Sequence, residues 1–466
     1  MINIIDEEKI HGILDKKQNA DISEVRDVLN KAKELRGLDL EEIATLLTIE
    51  SQDLLQELYE TALYVKREIY GSRLVLFAPL YISNYCANNC LYCGFRADNK
   101  EIERRTLSLD EIKEETIGIL EQGHKRVLML MGENHQACSF DYFLEAIDTV
   151  YSVQDSKGSS IRRINIEIAP LTDEEFHKLK DVKIGTYTVF QESYHRETYK
   201  KMHPSGKKSD YDFRINTMDR ALENGMHDVG IGTLFGLYDY KFEVLAMIEH
   251  AKHLDRKFNV GPHTISIPRI NPAKNAPASL DIPHKVSDEN FKKLVAAIRC
   301  SVPYTGMILS TRESVALRNQ LFDLGISQIS AGSRTNPGGY KQAFGLDHVE
   351  DESQFLLNDS RSSGEVIKDV LQHGFIPSFC TACYRLGRVG EDFMDQAKPG
   401  LIKLFCQPNG LTTLKEYLVS YADEETIEIG NALIEKELAE IPNEKVRNKA
   451  KEYLKRIEEG DRDLYF

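Results

Sequence analysis

The sequence predicts an α/β fold built on a (β/α)8 TIM barrel, with a helical extension before the barrel and a mostly helical domain after it. From about residue 74 to 339, short β-rich runs alternate with amphipathic helical runs, which is typical of a parallel sheet formed by βα units. Eight such units are enough to close a barrel. The chain has 466 residues, more than a barrel needs, so further segments must be attached at its ends.

Eight β-rich runs supply the predicted strands. They cover Val75–Asn84, Arg126–Glu133, Arg163–Ala169, Ile184–Gln191, Asp228–Phe235, Pro262–Pro268, Met307–Thr311 and Ile326–Ser330. Several of the helical runs between them end in glycine, as helices commonly do. Side chains that carry chemistry should therefore meet at the carboxyl ends of the strands, on one face of the barrel.

The flanking segments have helical patterns of their own. In residues 1–70, apolar side chains such as Leu29 and Leu40 recur at helical intervals, which predicts an extension that packs on the outside or the bottom of the barrel. The barrel should occupy residues 71–340. Residues 341–466 should form a C-terminal domain that ends in charged, amphipathic helices.

The composition is that of a globular protein, with 41% hydrophobic and 29% charged residues. The 59 basic and 74 acidic side chains give a net charge of −15, so the sequence has no electrostatic signature for nucleic acid or an anionic membrane. The first ten residues do not form a basic and apolar leader, and no apolar run approaches the roughly 18 residues of a membrane span. We therefore expect a cytoplasmic protein that binds small molecules.

Three cysteines, Cys86, Cys90 and Cys93, lie within eight residues, in the segment YCANNCLYCGFR. A disulfide would leave one thiol unpaired, and a zinc knuckle would need a fourth ligand close by. Three thiolates on one short loop can instead hold three irons of a [4Fe–4S] cluster and leave the fourth iron open for a ligand. The sequence favours such a cluster.

A second trio, Cys380, Cys383 and Cys406, lies beyond the predicted barrel with the spacing CX2CX22C. A structural zinc site is one interpretation, although no histidine accompanies the cysteines at close spacing. A second [4Fe–4S] cluster with one open iron is the other. Because clustered cysteines in a reducing cytosol are usually metal ligands, both interpretations involve a metal.

Polar residues stand at the ends of several predicted strands, where a cofactor could use them. We expect hydrogen-bond acceptors and one cation for the ribose and carboxylate of a cofactor. These candidates are Gly132, Glu133, Glu167, Gln191, Glu192 and Arg214. Arg312 at the end of the seventh predicted strand, with Ser333 on the loop after the eighth, is our candidate for anchoring the carboxylate of an amino-acid substrate, because a guanidinium is a planar donor of two hydrogen bonds.

The first trio follows a predicted strand, and an aromatic residue, Tyr92, precedes its third cysteine. This CX3CX2C arrangement resembles the signature of the radical S-adenosylmethionine (SAM) enzymes. The resemblance implies that the cluster binds SAM and cleaves it to a 5′-deoxyadenosyl radical, with Tyr92 beside the cofactor. Gly132 and Glu133 resemble that family's GGE motif, with Met131 in place of the first glycine, and the glutamate typically binds the SAM amino group.

With the second trio and the run CTACYRLGR, nearly the whole chain resembles the tyrosine lyases of [FeFe]-hydrogenase maturation. The resemblance implies cleavage of the Cα–Cβ bond of L-tyrosine to p-cresol and dehydroglycine. A second cluster with a fifth iron then converts dehydroglycine to carbon monoxide and cyanide, for an iron–carbonyl–cyanide synthon bound to cysteine. In that family a barrel histidine helps to hold the extra iron, and His263 is the matching candidate.

Partners and alternatives follow from the same resemblance. It implies L-tyrosine and cysteine as small molecules, an external electron donor of the flavodoxin or ferredoxin type, and other hydrogenase maturation proteins. One alternative is the 2-iminoacetate synthase of thiamine biosynthesis, which shares the barrel but lacks the C-terminal cysteine pattern. Another is an iron–sulfur carrier or scaffold without catalysis, which would have no need of a polar barrel mouth.

The expected orientation of His263 depends on the alternation of side chains along the sixth strand. His263 can point into the barrel only if Ile265 and Ile267 do so as well. Thr264 and Ser266 would then face the helix layer, which is an unusual place for polar side chains.

Overall fold

A computed structural model describes residues 3–19, 21–342 and 353–466, and within them eight parallel strands form a closed barrel. The strands, with a ninth beside them, are β1 Arg73–Ser83, β2 Arg126–Met131, β3 Arg163–Glu167, β4 Ile184–Thr188, β5 Val229–Gly232, β6 Thr264–Ser266, β7 Gly306–Leu309, β8 Gln328–Ser330 and β9 Ile376–Ser378. From β1 to β8 each strand pairs with the next in chain order, and β8 pairs with β1 to close the ring. The predicted TIM barrel is confirmed.

Helices surround the barrel and form most of both flanking segments. Many of them begin at a Ser, Thr or Asp whose side chain accepts a hydrogen bond from the first turn, and several have a full capping box. They are α1 Glu7–Lys16, α2 Ile22–Ala32, α3 Leu40–Leu47, α4 Gln52–Tyr70, α5 Leu109–Glu121, α6 Phe140–Ser152, α7 Asp173–Leu179, α8 Arg196–Met202, α9 Tyr211–Ile215, α10 Thr217–Glu223, α11 Tyr240–Phe258, α12 Pro277–Leu280, α13 Asp288–Ser301, α14 Val315–Phe322, α15 Gly339–Gln342, α16 Ser363–Gln372, α17 Ala382–Arg385, α18 Gly390–Ala397, α19 Lys403–Tyr421, α20 Glu424–Ala439 and α21 Glu444–Glu458.

Side chains along the strands alternate between the barrel lumen and the helix layer. On β3, Ile164 and Ile166 belong to the main apolar core, whereas Glu167 lines a cavity inside the barrel. β6 is shorter than the sequence predicts. Pro262 and Pro268 flank it, and a proline has no N–H group to donate to a neighbouring strand.

The N-terminal helices α1 to α4 pack on the outside of the barrel, mainly against α11 and α13. Lys252 on α11 donates to the carbonyl of Leu38 over 2.6 Å, and Gln52 donates to Glu289 on α13 over 3.0 Å. The extension therefore lies on the outer surface, as expected. Its last residue, Tyr70, reaches the amino-terminal end of the barrel.

The C-terminal segment is mostly helical, as predicted, but it also contributes β9 to the sheet. β9 pairs in parallel with the start of β1, with Ile376 opposite Arg73. Cys380 follows two residues after β9, so this pairing holds the second cysteine trio against the amino-terminal end of the barrel. Across the described ranges, the helices are too short or too polar to cross a membrane.

Two candidate metal sites at opposite ends of one barrel

The first cysteine trio lines a cavity of about 690 Å³ at the carboxyl ends of the strands, which we call the upper cavity. The structure brings Cys86, Cys90 and Cys93 to this cavity. Five of the predicted cofactor-binding residues share its lining, namely Gly132, Glu133, Glu167, Glu192 and Arg214. The upper cavity therefore brings together residues from β1 to β4 and from the segments that follow these strands, as the barrel fold requires.

The strand ends hold the first cysteine loop in position. The Ala87 N–H donates to the Glu133 carbonyl over 2.8 Å, and the Asn88 amide donates to the Glu133 carboxylate over 2.5 Å. Gly132 has no room for a side chain, because a Cβ there would lie 2.3 Å from the Tyr85 carbonyl oxygen. The end of β2 thus fixes the loop that carries the thiols.

The chemistry of the first trio fits a bound cluster. Burial raises the pKa of the Cys90 thiol to about 12 and that of the Cys93 thiol to about 11. Thiolates therefore form here when a bound cation replaces the protons. Three thiolates are the ligand set of a [4Fe–4S] cluster that keeps one iron open.

Three charged side chains form a network on the wall of the upper cavity. Glu192 accepts a hydrogen bond from Lys208 over 2.6 Å, and Arg214 Nη2 lies 3.9 Å from the same carboxylate. Burial acts to raise the pKa of Glu192, but the two cations outweigh it, and the pKa is lowered. Glu192 also has a φ of 72°, a backbone conformation that costs free energy in a residue other than glycine. Sequence analysis missed Lys208, because it lies in a short 3-10 helix, Lys207–Ser209, rather than at a strand end.

Glu167 lines both the upper cavity and a second cavity deeper in the barrel. Burial, together with the neighbouring Glu192, raises the pKa of its carboxyl group to about 7. Tyr92 and Gln191 line neither of these cavities. The Tyr92 hydroxyl lies 2.8 Å from Nε2 of His203, and Gln191 is buried, with no partner for its Nε2 among the described residues.

The second cavity, of about 600 Å³, contains both predicted substrate-binding residues, and we call it the middle cavity. The Arg312 guanidinium lies 3.3 Å from the ring centroid of Phe355 and has no ion pair within the described ranges. Ser333 Oγ is buried there, and no described residue is its hydrogen-bond partner. Arg269, by contrast, is paired with Glu313. The remaining wall is largely apolar and includes Phe77, Pro79, Leu128, Leu130, Phe190 and Ile308.

A third cavity, of about 560 Å³, lies at the amino-terminal end of the barrel, and we call it the lower cavity. Cys380, Cys383 and Cys406 line it together with His263. Burial raises the pKa of the Cys406 thiol to about 12, so this trio also needs a bound cation to form thiolates. All four predicted ligands of the second metal site thus face one cavity. Three cysteines and one imidazole are a donor set that iron accepts.

The expected phase of the sixth strand was wrong, although His263 does point into the lower cavity. Ser266 lines the middle cavity, whereas Ile265 and Ile267 belong to the apolar core with the helices. His263 lies just before β6, outside the regular alternation, and its Nδ1 is 3.4 Å from Asp228 Oδ1. The alternation of side chains within a strand therefore does not predict the orientation of a side chain that precedes the strand.

Small and polar residues line the lumen between the middle and lower cavities. A Cβ on Gly230 would lie 2.5 Å from Thr264 Oγ1 and 2.6 Å from Thr188 Oγ1, so these side chains meet inside the barrel. Lower in the lumen, Gly306 lies against the side chain of Gln328. The lumen of a TIM barrel is usually filled by branched apolar side chains. This barrel therefore has a polar interior between its two cysteine sites.

Comparisons with known proteins agree with this arrangement. The chain matches the family model of the Radical SAM superfamily over residues 80–251 and that of the Biotin and Thiamin Synthesis associated domain over residues 266–376. It is 30% identical to the 2-iminoacetate synthase of Escherichia coli (strain K12) over 366 residues, which are 78% of this chain and 92% of that protein.

Two solved structures are similar along almost the whole chain. A crystal structure of HydG, a maturase of the [FeFe]-hydrogenase, has a TM-score of 0.95 and 50% sequence identity, and the match covers 100% of both chains. The HydG from Carboxydothermus hydrogenoformans has a TM-score of 0.82 and 41% identity over 96% of this chain and 97% of that one. The similarity to both therefore includes the C-terminal segment that carries the second trio.

Proposed function

Because the chain belongs to the radical SAM family that includes the HydG maturases and the 2-iminoacetate synthases, we propose that it is a tyrosine lyase of [FeFe]-hydrogenase maturation. It cleaves the Cα–Cβ bond of L-tyrosine to p-cresol and dehydroglycine, and it converts dehydroglycine to carbon monoxide and cyanide. The observation that carries this proposal is the presence of two cysteine trios at opposite ends of one barrel. A lyase that stops at dehydroglycine needs the upper trio alone.

At the upper cavity, a [4Fe–4S] cluster on the first trio, together with SAM, supplies a 5′-deoxyadenosyl radical. Glu133 accepts hydrogen bonds from the SAM amino group, since its carboxylate lies beside the cysteine loop. Arg214 and Lys208, already aligned by Glu192, bind the polar groups of the rest of the cofactor. These charges are fixed before the cofactor arrives, which lowers the cost of ordering them.

At the middle cavity, Arg312 binds the tyrosine carboxylate and Ser333 donates a further hydrogen bond. The support is that Arg312 is a half-buried cation without an ion pair among the described residues, and that Ser333 Oγ is buried without a described partner. The apolar wall then holds the tyrosine ring. The amino group faces Glu167, which lies between the middle and upper cavities, and so the amino hydrogen is presented to the radical.

At the lower cavity, Cys380, Cys383 and Cys406 would hold a second [4Fe–4S] cluster, and His263 would hold an additional iron, to which a cysteine molecule would also bind. Asp228 lies 3.4 Å from the Nδ1 of His263 and orients the ring, so that the other ring nitrogen is available to the iron. The electron for SAM cleavage comes from an external flavodoxin or ferredoxin. The product passes to other hydrogenase maturation proteins.

The test is a product assay on anaerobically reconstituted protein with SAM, tyrosine, cysteine, iron and a reductant. The wild type should form p-cresol, carbon monoxide and cyanide. The Cys380→Ala/Cys383→Ala variant should form p-cresol but neither carbon monoxide nor cyanide. Its iron content should fall by about one cluster, while the electron paramagnetic resonance signal that responds to SAM remains.

The 2-iminoacetate synthase activity is the second candidate, since the Escherichia coli relative matches over 92% of its own length. That activity would give p-cresol and dehydroglycine in the wild type, without carbon monoxide. An iron–sulfur carrier would give no p-cresol at all. The same assay therefore separates the three possibilities.

A further inference from the structure

Two arginines face the barrel lumen side by side at its lower end. Arg126 on β2 and Arg163 on β3 are partners in the parallel ladder. Arg126 lines the lower cavity and is 5% exposed. Arg163 is on the same side of β3 as Glu167, which faces the lumen. Like charges in directly opposed positions destabilise a sheet, so this pair needs an explanation.

Neither guanidinium has a carboxylate partner in the part of the chain that the structure describes. Arg126 Nη1 donates to the Cys380 carbonyl over 3.4 Å, while its Nη2 is buried without a partner. Arg163 Nη2 donates to a backbone carbonyl, and its Nε is buried without a partner. Asp228 is engaged elsewhere, since it accepts from a backbone N–H over 3.1 Å and lies beside His263.

An aromatic ring from the second cysteine motif covers the two guanidiniums. The Tyr384 ring centroid lies 4.4 Å from Cζ of Arg163 and 5.6 Å from Cζ of Arg126. Its hydroxyl is 3.0 Å from Thr186 Oγ1 on β4. A cation–π contact stabilises a buried guanidinium only in part and leaves its unpaired N–H groups unsatisfied.

We propose that Arg126 and Arg163 form a carboxylate-binding subsite for a small planar two-carbon acid on its way from the middle cavity to the lower cavity. This inference rests on the proposed function, because the acid is the dehydroglycine that the upper reaction releases. The unpaired N–H groups of the two arginines supply the donors that a carboxylate accepts. Tyr384 closes one side of the subsite, so it admits a short acid and excludes tyrosine.

The subsite lies where such an acid must be held. Arg126 contacts the backbone of Cys380, the first cysteine of the second trio, so a carboxylate bound there is next to the lower metal site. The far end of the acid can then point towards His263, whose ring is 5.7 Å from that of Tyr384. Holding the acid by its carboxylate keeps it from leaving the barrel before the second reaction.

The direct test uses oxamate, a stable planar analogue of dehydroglycine, and oxamide, its neutral counterpart. Each is titrated calorimetrically into reconstituted protein with SAM and tyrosine present and without reductant, so that the middle cavity is filled and no turnover occurs. Oxamate should bind at least about tenfold more tightly than oxamide, as expected for hydrogen bonds to a charged group. Equal binding of the two would overturn the inference.

Variants then locate the binding site. Arg126→Gln and Arg163→Gln should each weaken oxamate binding by about tenfold, and Arg126→Lys should lose less, because it keeps the charge. Arg220→Gln is the matched control, since Arg220 is a half-buried arginine on α10 that also stacks on an aromatic ring, 4.0 Å from Phe213. It should bind oxamate as the wild type does. If the control loses as much affinity as the lumen variants, the subsite is not where we infer it.

Two measurements cover the case in which a lumen variant does not fold. Bromide ions diffused into wild-type crystals, as an unreactive anion with an anomalous signal, should bind beside Arg126 and Arg163. The absence of an anomalous signal there would contradict the subsite. During turnover, a folded Arg126→Gln protein should release more glyoxylate, the hydrolysis product of dehydroglycine, per p-cresol than the wild type does. A wild type that binds oxamate selectively but forms no p-cresol would overturn the proposed function and leave the anion subsite standing.

Discussion

The upper and lower cavities differ in how their buried charges are balanced. In the upper cavity, Glu192 is an ion-pair partner of both Lys208 and Arg214 before any ligand binds. Around the lower cavity, Arg126 and Arg163 have no carboxylate partner within the described ranges. The charged groups of the upper site are therefore held in place by the chain itself, whereas the arginines of the lower site would gain negative neighbours when the second trio forms metal-bound thiolates. Metal binding and local folding should therefore be more strongly coupled at the lower site.

The largest expected effect comes from removing the first cluster. Cys86→Ala should abolish SAM cleavage, p-cresol and carbon monoxide together, because no radical can form without that cluster. Product analysis by chromatography and gas detection measures all three. Carbon monoxide made from tyrosine by this variant would mean that the lower site works independently of the upper one.

His263→Ala should affect the lower site alone. We expect it to lose carbon monoxide production and the high-spin signal of the additional iron, and to retain p-cresol formation and both cubane clusters. Electron paramagnetic resonance and the product assay measure these outcomes. Carbon monoxide formed at the wild-type rate would mean that His263 is a structural residue, held by Asp228 and the ring of Phe393 4.4 Å away.

Arg312→Lys tests how substrate is held in the middle cavity. Lysine offers one point charge in place of a planar double donor, so tyrosine turnover should fall by about a hundredfold while slow uncoupled SAM cleavage continues. The p-cresol and 5′-deoxyadenosine formed are measured in one reaction. Wild-type tyrosine affinity would move the assignment to Arg334, since Arg269 is already paired with Glu313.

Gly132→Ala should disturb the upper site by a purely steric route. The new Cβ would meet the Tyr85 carbonyl, so we expect a loss of about 1–3 kcal/mol in the free energy of unfolding and a lower iron content in the first cluster only. Gly12→Ala is the control, because a Cβ there meets nothing within 4 Å and helix propensity favours alanine. Equal effects of the two variants would rule out the steric explanation.

The smallest expected effect is a pH dependence from Glu167. Its pKa of about 7 means that the carboxylate ionises as the pH rises through neutrality, and an ionised carboxylate attracts the sulfonium cation of SAM. SAM affinity should therefore increase a few-fold between about pH 6 and pH 8. In Glu167→Gln the affinity measured by calorimetry should be flat across that range, and an unchanged slope would assign the titration to another group.

Glu167 should affect stability in the opposite direction, so that stability falls as the pH rises. A carboxyl group whose folded pKa lies above its ordinary value of 4.5 stabilises the protein below that pH, and this contribution is lost as the pH rises through about 7. Glu167→Gln should remove this decline in the free energy of unfolding. Denaturation of wild type and variant at pH 5 and pH 8 measures the difference.

The sequence by itself determined the barrel, the two cysteine trios and most of the polar strand ends. Strand and helix periodicities are local, so they can be recognised in a single chain, and the carboxyl ends of parallel strands must share one face. Glu133, Glu167, Glu192 and Arg214 could therefore be expected to meet, and they line one cavity. Arg312 and Ser333 line the adjacent one.

Only the tertiary structure decided which side chains face each other across long stretches of chain. Lys208 reaches Glu192 from a short 3-10 helix, and β9 pairs with β1 across about 300 residues. No local sequence pattern predicts either contact. The orientation of His263 depends on backbone outside a strand. The juxtaposition of Arg126 and Arg163 can be recognised only from the pairing of β2 with β3. In the sequence, each arginine is simply the first residue of a predicted strand.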